Sequence, residues 1–292
     1  MTNKSNSYEY FKFNRYEAEI DKKNVITIYP VLKNAKDFKY YDSSNGIEDI
    51  DVLISLANLH KKSQVNNYKD FPLDFKDWCE ENIQPFGIKD LNNLIKLKDY
   101  NVKSIISTST FKADVAEVFV TKIGWLFEYW YMISQTIRKN KEKLDFENLK
   151  NTERIVEYPY LTEMLIKSKN VNDFCKLAKK QYNLIIKYLL YQLNPFKAGY
   201  QFNESTKKIE LKCEYNNVFD IARFGFIRLI VENIDSNKDI PVLTCANCGD
   251  YVVRHSSRTI YCQKKECQNF RNRIKQDRSK QKSANYLKYG YK

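Results

Sequence analysis

Glycine and proline are scarce in this chain of 292 residues, at 7 and 6. An all-β fold with many tight turns needs more of both, so their shortage favours long helices. Histidine is scarcer still, with only His60 and His255. That leaves little material for a His-based triad. No GxxxxGK[ST], HExxH or GxSxG string occurs, and no paired Gly-rich turn. The chain is therefore read as a non-enzyme with no catalytic residues to nominate, although its plentiful carboxylates leave room for a carboxylate-only nuclease site. Long apolar runs are missing too. The most apolar stretch, Ile123 to Ile133, is short and contains Glu128. The opening MTNKSNSYEYF has no apolar signal core. A cytoplasmic location with no membrane partner is expected.

Hydrophobic residues make up 43% of the chain, which places it among globular proteins. The formal net charge is +13, and its distribution is uneven. Residues 241–292 carry 12 Lys+Arg against 3 Asp+Glu, whereas the 240 residues before them carry 37 against 33. A basic end of this kind suits a polyanionic partner, with a solvated tail as the plainer alternative.

Periodicity sketches the large region, taken as a domain over 1–238. Strand-like segments cover about Tyr10–Ile20 and Asn24–Leu32, and residues up to about 8 are expected to be loose. Helical spacing predicts helices over about Ile47–Lys62, Pro72–Ile83, Ala113–Lys139, Tyr160–Lys167, Val171–Leu193 and Val218–Asn233. On the long third helix, Val115, Val118, Phe119, Ile123, Leu126, Phe127, Trp130, Ile133 and Ile137 form a core stripe. On the last, Ile221, Phe224, Ile227 and Ile230 share a face. KKIELKC, Lys207–Cys213, alternates like a strand. His60 reads as a residue at a helix C-terminus. Cys79, Cys175 and Cys213 are scattered singly and read as small buried hydrophobes.

Four further cysteines form a motif, Cys245-x2-Cys248-x13-Cys262-x4-Cys267. In a reducing compartment, two short-spaced pairs signal metal ligands rather than disulfides. Four thiolates suit one structural Zn²⁺ in a tetrahedron, with no position open for water, ahead of an iron–sulfur cluster or a redox dithiol as the competing readings. The glycine after Cys248 allows a tight knuckle turn. Tyr251–Val253 and Arg258–Tyr261 read as two hairpin arms, and Cys267 opens a helix. His255 lies in a turn-like stretch and reads as an exposed loop residue. Together these describe a treble-clef-like or ribbon-like finger over 239–276, followed by a basic helix or tail over 277–292. The fold class expected is α+β: a mainly α-helical large domain with a small N-terminal β element, then the finger.

The helix after the finger sorts its residues by face. Cys267, Phe270 and Ile274 share a side that meets the metal module. Arg271, Lys275, Arg278 and Lys282 make a cationic stripe beside it, which Arg273 and Lys280 widen. These six are the expected nucleic-acid contacts, and Asn269, Asn272 and Gln276 add hydrogen-bonding groups. After Ile274 no large apolar residue follows until Tyr286, so the helix projects with nothing to bury.

The string CANCGDYVVRHSSRTIYCQKKECQNFRNR resembles the C-terminal zinc finger of bacterial CGNR-type proteins, in which an ABATE domain precedes the finger. Cys245, Cys248, Cys262 and Cys267 match that family's ligands, and Asn269 matches the Asn of its name motif. Gln268 stands where the motif has Gly, and Phe270 where it has Arg, which marks a divergent member. The resemblance implies a nucleic-acid-binding regulator of transcription whose N-terminal domain senses a signal or dimerises. DNA ranks ahead of RNA as partner, and a second copy of the chain is a further one. Two other classes stay open: a phage-defence or toxin-like effector with an unrecognised N-terminal activity, and a protein-interaction module built on zinc.

Overall fold

The computed structural model of the protein describes residues 7–8, 10–23, 25–33, 36–41, 47–88, 90–91, 102–140, 163–164, 166–192, 197–203, 208–233, 241–254 and 259–289. The chain divides into two compact units, Met1–Lys238 and Asp239–Lys292. Helices dominate, with small antiparallel sheets beside them, an α+β arrangement. No described helix is long and apolar enough to cross a membrane.

The first unit opens on short strands: β1 (Ser7–Tyr8), β2 (Tyr10–Phe13), β3 (Tyr16–Ile20), β4 (Ile26–Pro30), β5 (Phe38–Tyr41) and β6 (Ile47–Glu48). The single strand expected over Tyr10–Ile20 is two strands in different sheets. β2 pairs with β5, and β3 pairs with β4. The cause is parity. Phe11, Phe13 and Tyr16 are all buried, yet Tyr16 falls on the opposite face of an unbroken strand. The chain therefore changes sheet at Asn14–Arg15, where Asn14 donates its backbone N–H to the Asp37 carbonyl at 2.9 Å. Tyr8 is buried in β1, so ordered structure begins earlier than the expected loose stretch allows.

Among the described residues the core of this unit is built by helices α1 (Asp49–Gln64), α2 (Phe71–Glu81), α3 (Val102–Ser109), α4 (Ala113–Asn140) and α5 (Val171–Gln192), with α6 (Val218–Asn233) against α1, α4 and α5. A short strand, β7 (Phe111–Lys112), precedes α4 and pairs with β4. β8 (Lys197–Asn203) and β9 (Lys208–Glu214) form a hairpin ahead of α6. The helices expected near Ile47, Pro72, Ala113, Val171 and Val218 are present, while α3 carries no strong sequence signal. Of the Tyr160–Lys167 prediction, Glu163, Met164, Ile166 and Lys167 are described and helical, and the other four residues lie outside the described ones.

Two faces differ from the pattern reading. On α4, Val115 and Val118 are exposed, and the buried line runs through Ala116, Val120, Ile123, Phe127 and Trp130. On α6, burial runs almost all round, from Val218 to Arg223 and through Gly225, Phe226, Leu229 and Ile230, so this helix is central rather than amphipathic. Its start is fixed by Asn217, whose Oδ1 accepts from the Asp220 backbone N–H at 2.9 Å while its Nδ2 donates to Asp220 Oδ2 at 3.0 Å. Asp220 in turn holds buried Arg223 at 2.9 Å. Aromatic rings join the helices: Phe75 stacks between Phe71 and Trp78 at 5.5 and 5.4 Å, and Phe119 stacks on Phe219 at 4.8 Å.

His60 is a core residue of α1, not a helix-end residue; the helix continues to Gln64, and its side chain is fully buried. Its Nδ1 bonds the Tyr68 hydroxyl, and its Nε2 lies 3.9 Å from Glu128. Gly124 makes room for it. A Cβ there would fall 2.1 Å from His60 Cγ. Gly124→Ala is thus predicted to destabilise the unit by about 1–3 kcal/mol, read as a lower urea midpoint, and replacing His60 by Ala as well should recover part of the loss.

Burial holds the His60 imidazole down to about 4, against an ordinary value of 6.5. Between those values the unfolded chain takes up a proton that the folded chain refuses, so stability from this group is lost as pH falls through the window. Relative to wild type, His60→Gln should therefore gain stability as pH is lowered from 7 to about 4, by about 3 kcal/mol at most, measured by urea titration at each pH.

Candidate metal centre

The second unit is a short hairpin and a long helix. β10 (Val242–Thr244) pairs antiparallel with β11 (Tyr251–Val253), with Leu243 opposite Val252. The hairpin therefore lies across the first cysteine pair, not after it. Arg258 of the expected second arm lies outside the described residues, and Thr259–Tyr261 is not a strand. The reason is local: the Ile260 carbonyl accepts the Ala246 backbone N–H at 2.9 Å, which lays this segment against the first cysteine turn.

That turn is a knuckle. The Cys245 N–H donates to the Asp250 carbonyl at 2.7 Å, and the Gly249 N–H returns to the Cys245 carbonyl at 3.0 Å. Gly249 has φ +78°, a left-handed conformation that side chains resist. The crossing at Ile260 then delivers Cys262, whose N–H donates to Cys245 Sγ at 3.3 Å. Cys267 sits in the first turn of helix α7 (Lys265–Tyr289), where unpaired helix amides favour negative charge.

All four sequence-predicted ligands are brought together. The sulfurs of Cys245, Cys248, Cys262 and Cys267 lie within 4.8 Å of one another, with Cys248 and Cys262 at 3.7 Å. Three of the residues are buried and Cys248 is exposed. Among the described residues this is the convergence of Cys, His or carboxylate groups able to hold a metal ion.

The electrostatics point the same way. At Cys245 burial opposes the thiolate, but amides of Cys248, Cys262 and Asn247 outweigh it and bring the thiol down to about 6. Cys248 and Cys262 are pushed up, by burial first; the sulfurs beside them add to the rise at Cys248. One negative charge therefore forms readily, and each further one meets its neighbours. A cation in their midst removes that obstacle.

Groups that pattern reading passed over brace the site. Asn247 Nδ2 donates to Cys267 Sγ at 3.4 Å. Lys264 pairs with Asp250 at 2.5 Å, tying the two cysteine loops. Gln268 donates to the Cys262 carbonyl at 2.5 Å. Gln268 is marked in the sequence only as the residue in place of the motif's Gly, and nearness to the cysteines is the one signal for Asn247, Asp250 and Lys264. Of the lone cysteines, Cys79 is buried, Cys175 is half-buried, and the Cys213 side chain lies outside the described residues, as does His255.

Arg271, Arg273, Lys275, Arg278 and Lys280 are exposed on α7, and Lys282 lies in the helix with its side chain outside the described residues. Arg271 donates to Gln268 Oε1 at 3.2 Å. Arg273 rests over the Phe270 ring at 5.4 Å, and that ring meets Tyr261 edge-on at 6.2 Å. Cys267 is buried, while Phe270 and Ile274 are only half-buried.

Comparison of the chain with protein-family models, with curated proteins and with solved structures returned no match. The geometry of the site thus stands on its own.

Two substitutions probe that geometry. Gly249→Ala strains the knuckle, and Asn247→Ala strips a hydrogen bond from a ligand sulfur. Each is predicted to weaken metal binding about tenfold, measured by competition with a chromogenic chelator.

Proposed function

We propose that the C-terminal unit is a zinc finger that presents helix α7 to nucleic acid, DNA ahead of RNA, and that the protein regulates transcription. Zinc is favoured because a Zn–S bond of about 2.3 Å in a tetrahedron sets sulfurs about 3.8 Å apart, and Cys248 and Cys262 stand at 3.7 Å. Four protein ligands fill the coordination sphere, so the metal's part is structural. The motif's resemblance to CGNR-type fingers supports the same reading, with residues 1–238 sensing a signal or forming a homodimer.

The observation that carries the proposal is the exposed cationic surface of α7. Between Ile274 and Tyr286 the helix has no large apolar side chain to bury, yet it continues unbroken from a first turn that carries Cys267. A long, charged helix of this kind is stabilised by a partner whose charge complements it.

Purification under reducing conditions should give one zinc per chain, and a chelator should abolish nucleic-acid binding. Arg271→Ala with Lys275→Ala should weaken binding and lower the slope of log K against log salt by about 2, since each phosphate contact contributes about 0.9. A folded, zinc-free protein, or a double variant that binds as wild type does, overturns the proposal.

A further inference from the structure

Helix α7 separates four kinds of side chain around its circumference. At about 100° per residue, Cys267, Phe270 and Ile274 lie together on the side of the metal centre, consistent with their burial or half-burial. The two acids of the described helix, Glu266 and Asp277, fall next to that side. Opposite lies an arc of uncharged hydrogen-bonding residues, Asn269, Asn272, Gln276 and Ser279, all exposed. Lys275 and Arg271 flank this arc on one side and Lys280 and Arg273 on the other, while Arg278 falls beside Cys267. Lys265, the first residue of the helix, is the cation within the arc.

A solvated face has no reason to gather Asn269, Asn272, Gln276 and Ser279 on one side with no acid among them. A groove between two phosphate chains does. The major groove of B-DNA is about 12 Å wide, which admits a helix of about 10–12 Å diameter. In that setting the middle of the inward face meets base edges and its two edges meet the two phosphate backbones. Asn272 and Gln276 are one turn apart, a rise of about 6 Å, close to two base-pair steps. Their amides match adenine, which offers an acceptor and a donor side by side.

We infer that α7 reads duplex DNA in the major groove, with Asn269, Asn272 and Gln276 facing the bases, a preference for A·T pairs, and the two cationic edges straddling the groove. This rests on the nucleic-acid reading above and narrows it. Double-stranded RNA is disfavoured because its major groove is deep and narrow. Single strands are disfavoured because they lack the two flanking backbones that the two cationic edges would meet.

The test uses the full chain loaded with zinc and fluorescence anisotropy at fixed salt. The probes are a short alternating A·T duplex, a G·C duplex, the matching A·U RNA duplex and a single-stranded oligo-dT. The A·T duplex should bind about tenfold more tightly than each of the others. Asn272→Ala with Gln276→Ala should erase the A·T over G·C preference and leave the salt slope unchanged, with zinc content and helicity as wild type. Arg273→Ala with Lys280→Ala should lower the slope by about 2, as the pair on the other edge does. Equal binding of RNA or single strands, no A·T preference, or a preference that survives the amide variant overturns the groove inference while leaving nucleic-acid binding intact. Failure to bind any of the four probes overturns both.

Discussion

Four sulfur atoms within 4.8 Å of one another are what the C-terminal unit is built around. Cys245, Cys262 and Cys267 form its buried cluster, with Val252 and Tyr261 partly buried against them, and Val242 and Tyr251 are the other buried apolar residues described there. A unit with so little apolar surface cannot offset the entropy of ordering its chain by burial alone. A metal held by the four thiolates would supply the missing free energy and fix where each loop must pass. The knuckle at Gly249, the crossing at Ile260 and the start of α7 bring the four sulfurs together. Cys267, buried at that cluster, sets the rotation of the helix and leaves the opposite face outward.

The N-terminal unit works by the other rule. Its helices bury large aromatic side chains, and α6 is enclosed on nearly every side. Its polar exceptions are concentrated: His60 against Glu128 and Tyr68, Asp49 against Arg228, Asp220 against Arg223. Burial raises Asp49 to about 6 even though Arg228 opposes the rise. Such groups cost desolvation, and the His60 and Asp49 pairs each join two helices while Asp220–Arg223 lies within α6.

Long periodic segments were legible because burial acts on whole faces: α1, α2, α4, α5 and α6 each stand where the apolar spacing puts them. The cysteine ligands were legible because four thiols at short spacings have few alternative uses. What escaped notice depends on contacts distant in sequence. The break after Phe13 turns on which residues sheet partners bury, and Phe38–Tyr41 has no strand without β2 beside it. His60 looks like a surface residue until α4 is laid over it with a glycine at the contact. The hairpin was misassigned because β11 has an apolar stretch on either side of it, and a backbone hydrogen bond from Ala246 decides between them.

The arc of Asn269, Asn272, Gln276 and Ser279 is exposed and lies on the side of α7 opposite Cys267. Changing any of these residues leaves the knuckle, the ligands and the apolar side of α7 untouched. Selection acting on what this surface touches is thereby separated from selection on whether the unit folds. Paralogues could diverge in target one substitution at a time, without first acquiring a reserve of stability to absorb the change.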